Sequence, residues 1–178
     1  MSKVVADSSF YICFLDDIKR PKYLVRILNH FEFIIGKVIH EEIKRSQNYS
    51  YIKTIMEEKV IQFEYENYGE ILKPFFSIKE IQKGEHEVIA ISIILVRLGF
   101  LDIIIIIDDK DARKFIERNF KDIYHLLKYT VKFIVECYSE YKIFSKEEVK
   151  EILTLIKGSK FRVKGSLIDD ILKNLEGS

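Results

Sequence analysis

Tryptophan is absent from this 178-residue chain, proline, cysteine and methionine occur twice each, and glycine seven times. Two cysteines, Cys13 and Cys137, are too few for a disulfide framework or a thiolate zinc site, and their apolar neighbours mark them as small buried hydrophobes. The scarcity of Gly and Pro excludes a chain made mostly of tight turns and favours long regular elements. No charge dominates: 29 Lys and Arg stand against 28 Asp and Glu, a net charge of +1, so no global basic field announces a nucleic acid. Any electrostatic message must therefore be local. The most apolar stretch, 88–96, is closed by Arg97 and falls well short of the roughly 20 residues that span a bilayer. The opening residues carry no apolar core of a signal peptide, so the expectation is a cytoplasmic protein with no membrane association.

What is present is 48% hydrophobic and 32% charged residues, the balance of a globular domain, with isoleucine alone at 30 positions. Val4-Val5-Ala6 reads as a short strand halted at Asp7-Ser8-Ser9, residues that start helices, and a helix is expected through Leu15. Pro21 suits the first turn of a helix running to about His30. Phe33-Ile34-Ile35 predicts a strand, 37–45 and 51–59 predict helices, 60–63 a possible strand, and 65–81 is the least legible stretch. A strong helix is expected over 83–98, closed by Gly99. Five consecutive isoleucines, 103–107, predict a central parallel strand, because a β-branched run apolar on both faces suits that position. Strands alternating with helices imply an α/β fold with a parallel sheet. Beyond it, helices are expected over 126–141, 145–157 and 165–175. The chain is accordingly divided into an α/β domain, 1–125, and a C-terminal helical extension, 126–178, packed on the same domain.

The carboxylates fall in a pattern. Ligands of open parallel sheets sit at the carboxyl ends of strands. Asp7 directly follows the first strand and Asp108-Asp109 follow the isoleucine strand, although Asp109 can equally cap the helix beginning at Lys110. Helical spacing aligns Glu87 with Ile91, Ile94 and Leu98 and turns Glu85 to nearly the opposite side. Glu42 likewise falls on the apolar side of its helix, beside Val38 and Ile39. Asp7, Glu42, Glu87 and Asp109, with Asp108 and Asp111 adjacent, are therefore expected to converge. Each like-charge contact near 4 Å would cost on the order of 4 kcal/mol at an effective dielectric of about 20. A divalent cation is the natural remedy, and ligation by oxygen alone selects Mg2+ or Mn2+ over Zn2+.

These segments resemble the PIN domains, small metal-dependent ribonucleases that include the VapC toxins. The resemblance rests on Val5-Ala6-Asp7-Ser8-Ser9, Val38-Ile39-His40-Glu41-Glu42-Ile43, Gly84-Glu85-His86-Glu87-Val88-Ile89-Ala90 and Ile106-Ile107-Asp108-Asp109-Lys110-Asp111-Ala112-Arg113, in that order along essentially the whole chain. The Gly-Glu-x-Glu and Asp-Asp-x-x-Ala-Arg forms are similar to an uncharacterised, largely archaeal subgroup. The resemblance implies a three-layer α/β/α fold with a central parallel sheet and a C-terminal helical extension. It also implies a Mg2+- or Mn2+-dependent endoribonuclease, toxin-like or RNA-processing. Asp7, Glu87 and Asp109 would hold the metal, with Asp108 the alternative to Asp109. Glu42 would complete the pocket or orient the attacking water, and Ser9 and Asp111 would support the ligands.

The substrate implied by the same resemblance is single-stranded RNA, and phosphates need cations. The run 157–164 carries Lys160, Arg162 and Lys164 with Phe161 among them, Lys19-Arg20-Pro21-Lys22 forms a second basic stretch, and Arg113 is a further candidate. Tyr11, Tyr124 and Tyr129 are candidates to stack bases. Two other classes compete: a catalytically weak binding or scaffold module, with an antitoxin-like protein or a second copy as partner, and a small-molecule phosphatase. The phosphatase chemistry wants Asp-x-Asp after the first strand, where this chain has Asp7-Ser8-Ser9.

Overall fold

The computed structural model describes residues 2–63 and 83–177, so the stretch 65–81 lies outside the described residues. Five strands, β1 (Lys3–Ala6), β2 (Glu32–Ile35), β3 (Ile61–Gln62), β4 (Ile103–Ile106) and β5 (Leu127–Lys128), form one sheet in the order β3-β2-β1-β4-β5. Every pairing is parallel, with Ala6 opposite Ile106 at the carboxyl ends of the two central strands. The isoleucine strand is buried throughout, which explains its run of apolar residues on both faces.

Ten α-helices accompany the sheet among the described residues. They are α1 (Ser8–Ile12), α2 (Pro21–His30), α3 (Lys37–Lys44), α4 (Lys53–Glu58) and α5 (Lys83–Arg97), followed by α6 (Lys110–Asn119), α7 (Lys121–Tyr124), α8 (Thr130–Ser139), α9 (Lys146–Lys157) and α10 (Gly165–Glu176). The arrangement is the α/β class with a parallel sheet that the alternation implied, in the α/β/α form that the resemblance implied. One continuous set of buried apolar side chains extends from Val4 to Leu175, so the C-terminal helices share the core of the sheet. Helix α9 opens with a capping box, Ser145 and Glu148 each accepting from the other's backbone N–H, and is tied to α2 where the Tyr23 hydroxyl donates to Glu151 at 2.7 Å and Arg26 pairs with Glu148.

Two expectations are corrected. The first helix is α-helical only to Ile12 and then widens into a π-wound turn, Cys13–Asp17. The helix expected from 126 begins instead at Thr130. Leu127–Lys128 is a fifth strand, its ladder carried by Ile105 N–H to Leu126 O at 3.1 Å and Ile107 N–H to Lys128 O at 3.2 Å. A two-residue strand leaves no alternation to read. Among the described residues, no helix is long and apolar enough to cross a membrane.

Candidate active site

In the order β3-β2-β1-β4-β5 the chain winds outward from β1 in one direction and returns to β4 on the other side of β1, so the crevice of the sheet opens at the carboxyl ends of β1 and β4. Asp7 leaves β1 there, its N–H donating to Ile106 O at 3.0 Å, and Asp108 leaves β4 beside it. Together with Asp17, Glu85 and Asp109 they line a cleft of about 490 Å3, and Lys110, Lys160 and Arg162 belong to the same lining.

Asp7 is 5% exposed, and burial, reinforced by the charge of Asp108, pushes its carboxyl up to about 7 from an ordinary 3.8. Hydrogen bonds pull the other way: Ser9 Oγ donates to Oδ1 at 2.6 Å and Phe10 N–H at 3.3 Å. Asp108 is also raised, by burial, while it accepts from Thr130 N–H at 3.0 Å and from the Thr130 hydroxyl. Arg113 lowers it from behind. The guanidinium of Arg113 is committed to the scaffold: Nη1 donates to Ile107 O at 3.0 Å and Lys128 O at 3.1 Å, and the group lies 3.7 Å from the ring centre of Tyr129. The expected role of Arg113 in substrate contact is therefore replaced by a brace across the ends of β4 and β5.

Asp109 lines the cleft but also caps α6, Oδ1 accepting from Asp111 N–H at 2.9 Å and Ala112 N–H at 2.8 Å. Of the Asp108-Asp109 pair, Asp108 is thus the one electrostatically coupled to Asp7. Asp111 and Lys164 are exposed and outside the cleft lining, whereas Lys160 and Arg162 are part of it.

Glu87 does not join the cleft lining. It is fully buried, and its two oxygens accept from Val38 N–H at 2.9 Å and Ile39 N–H at 2.8 Å, capping the N-terminus of α3. The approach is so close that a Cβ on Gly36 would stand 2.0 Å from the carboxyl carbon, which is why that position is glycine. Glu85, one turn-step earlier, reaches the cleft instead. The expectation failed because it assumed that α5 has one buried side. Residues 87–95 are all buried, while Leu98, the end of the supposed stripe, is 62% exposed. A helix apolar all round does not tell which carboxylate faces where. Glu42 is half-buried outside the cleft lining, with Oε2 only 3.1 Å from where a Cβ on Gly84 would lie.

Asp17 was also missed. The π-wound turn parts it from Asp16, whose carboxylate accepts from Ser46 Oγ at 2.7 Å and Asn48 Nδ2 at 3.1 Å. Asp17 is left on the cleft side, raised by burial and by Asp16 and lowered by Lys160. The available signal was the doubled Asp at the end of the Asp7 helix, one member for each side.

Among the described residues, no three carboxylate, imidazole or thiol groups converge closely enough to cage a metal ion. The donor set nevertheless fits a hard divalent cation. Buried Asp7 and half-buried Asp108, whose charge acts on Asp7, offer oxygen alone, and Mg2+ ordinarily takes one or two protein carboxylates and completes its shell with water and phosphate. A family model described as a PIN domain matches residues 3–177. Neither a curated protein nor a solved structure matches the chain.

Proposed function

The chain belongs to the PIN-domain family, a nuclease-type fold whose members typically use divalent metals, and on that premise we propose that it is a Mg2+- or Mn2+-dependent endoribonuclease acting on single-stranded RNA. The observation that carries the reading is the pair at the switch of strand winding, buried Asp7 and half-buried Asp108, where the charge of Asp108 raises the Asp7 carboxyl and a cation would relieve both.

Asp7 and Asp108 would hold the metal, with Glu85 and Asp109 at the margin of its water shell. When bound, the metal supplies charge neutralisation and an activated water for phosphodiester hydrolysis. The chain's own groups do the positioning. Ser9 fixes one oxygen of Asp7, and Thr130 and Arg113 fix Asp108. Lys110, Lys160 and Arg162 line the same cleft and would meet the phosphates on either side of the scissile bond. Glu87 holds α3 in place, and Glu42 packs against the start of the helix that carries Glu85.

The test is cleavage of a fluorescent single-stranded RNA in Mn2+ by the wild type and by Asp7→Asn. Mn2+-dependent cutting by the wild type alone is expected. Equal cutting by both identifies a contaminant and removes the reading. Among the described residues no three carboxylates converge, which leaves one competitor, a catalytically weak binding module, and calorimetry separates the two: that reading requires no Mn2+ binding near neutral pH.

A further inference from the structure

We propose that Tyr129, braced by Arg113, is a nucleobase-stacking platform beside the acidic cleft. The inference rests on the ribonuclease reading and adds to it a residue that would choose how the RNA strand lies.

Tyr129 stands between β5 and α8, and its neighbour Thr130 is the residue that grips Asp108 through both N–H and hydroxyl. An aromatic ring is thus anchored one residue from a group that fixes an acid of the cleft lining. Its surface is 45% exposed, unlike Tyr11, which is fully buried and unable to meet a ligand. One face of the Tyr129 ring is covered by the Arg113 guanidinium at 3.7 Å, so the exposure lies on the opposite face and the edge. The guanidinium cannot drift, since Nη1 is held by the carbonyls of Ile107 and Lys128 at 3.0 and 3.1 Å. A flat ring backed by a fixed flat cation is ordered before a ligand arrives, so little side-chain freedom remains to be lost on binding.

Stacking on such a face accepts any base, because every base has a π face, and it fixes orientation without reading sequence. The cations in the cleft lining, Lys160 and Arg162, would grip phosphate. Tyr129 supplies the complementary contact, so a strand is held by backbone on one side and by a base on the other. Tyr51 is more exposed, at 67%, but lines a different hollow with Pro21 and Lys22 and serves as the control.

The experiment uses a short single-stranded RNA carrying 2-aminopurine at successive positions, titrated with the full chain in EDTA, alongside Mn2+-dependent cleavage of the same RNA. With the wild type, fluorescence should be quenched at one position. Tyr129→Ala should abolish that quench and weaken binding about tenfold. Tyr129→Phe should restore both, and Tyr51→Ala should leave both as in the wild type. Tyr129→Leu keeps the bulk without the ring and serves if the alanine variant does not fold; it too should lose the quench. A wild type that cuts RNA while Tyr129→Ala keeps full quench and affinity overturns this inference alone. Loss in Tyr129→Phe as well overturns stacking in favour of the hydroxyl. A wild type that neither binds nor cuts RNA overturns the ribonuclease reading and this inference with it.

Discussion

Glu87 and Asp7 are both sealed carboxylates on the same core, 0% and 5% exposed, yet the protein treats them in opposite ways. Glu87 points into the start of α3, where two backbone N–H groups and the positive end of the helix satisfy its charge. Asp7 also caps a helix, but it shares its surroundings with Asp108, and its carboxyl is pushed up to about 7. One buried acid is finished by the fold, and the other is left with a need that a bound cation would meet. Burial alone does not separate a structural acid from a reactive one; the identity of the neutralising partner does.

The sharpest way to break this comparison is to neutralise each acid in turn. Asp7→Asn should lower metal-dependent RNA cleavage at least about 100-fold, while Glu87→Gln should lower it only through the fraction of protein that is unfolded. Cleavage rates corrected for folded fraction decide it, and a Glu87→Gln defect in the corrected rate would erase the distinction.

The next effect is on stability and has a definite sign. Between about pH 4 and 7 the unfolded chain has released the Asp7 proton, whose ordinary value is 3.8, while the folded chain retains it. Stability must then fall as pH rises, by about 1.4 kcal/mol per unit and up to about 4 kcal/mol in total, with the full penalty present above pH 7. Asp7→Asn removes that slope, so without metal it should be more stable than the wild type at pH 8 and the two should converge near pH 4. Chemical denaturation in EDTA across this range measures the difference, and a difference that does not change with pH would contradict it.

A somewhat smaller loss is expected on the structural side. Gly36→Ala places a methyl group against the Glu87 carboxyl carbon and expels the cap, at about 3 kcal/mol, and Glu87→Gln removes one acceptor at about 2 kcal/mol. Both should show in thermal unfolding, and both should keep the pH slope of the wild type, since Asp7 is intact in each. Smallest is Arg113→Lys, which gives up the fork shared by Ile107 and Lys128 at about 1 kcal/mol. A change in melting temperature measures it.

How much of this was legible from residues alone depends on how each element earns its shape. The strand of isoleucines and the acids Asp7 and Asp108 at strand ends were readable, because β-branched runs and strand-to-helix transitions leave local marks. Lys160 and Arg162 were readable as a basic run, and the structure seats both at the cleft. The choice between Glu85 and Glu87 was not, since α5 is apolar on every side and periodicity selects no face. The strand Leu127–Lys128 is too short to alternate, and Asp17 reaches the cleft only because the helix widens at Cys13–Asp17. Arg113 reads as a surface cation until its carbonyl partners on β4 and β5 are seen.

The pairing of β1 with β4 joins residues roughly a hundred positions apart, and the cationic rim comes from later still, between α9 and α10. On a chain leaving the ribosome, Asp7 therefore emerges long before Asp108, and both precede Lys160 and Arg162. The acidic side chains wait for their neighbour strand, and the cationic lining waits for the last two helices. A cleft wired this way is assembled in stages during its own synthesis, and it is complete only when α9 and α10 have been made and docked.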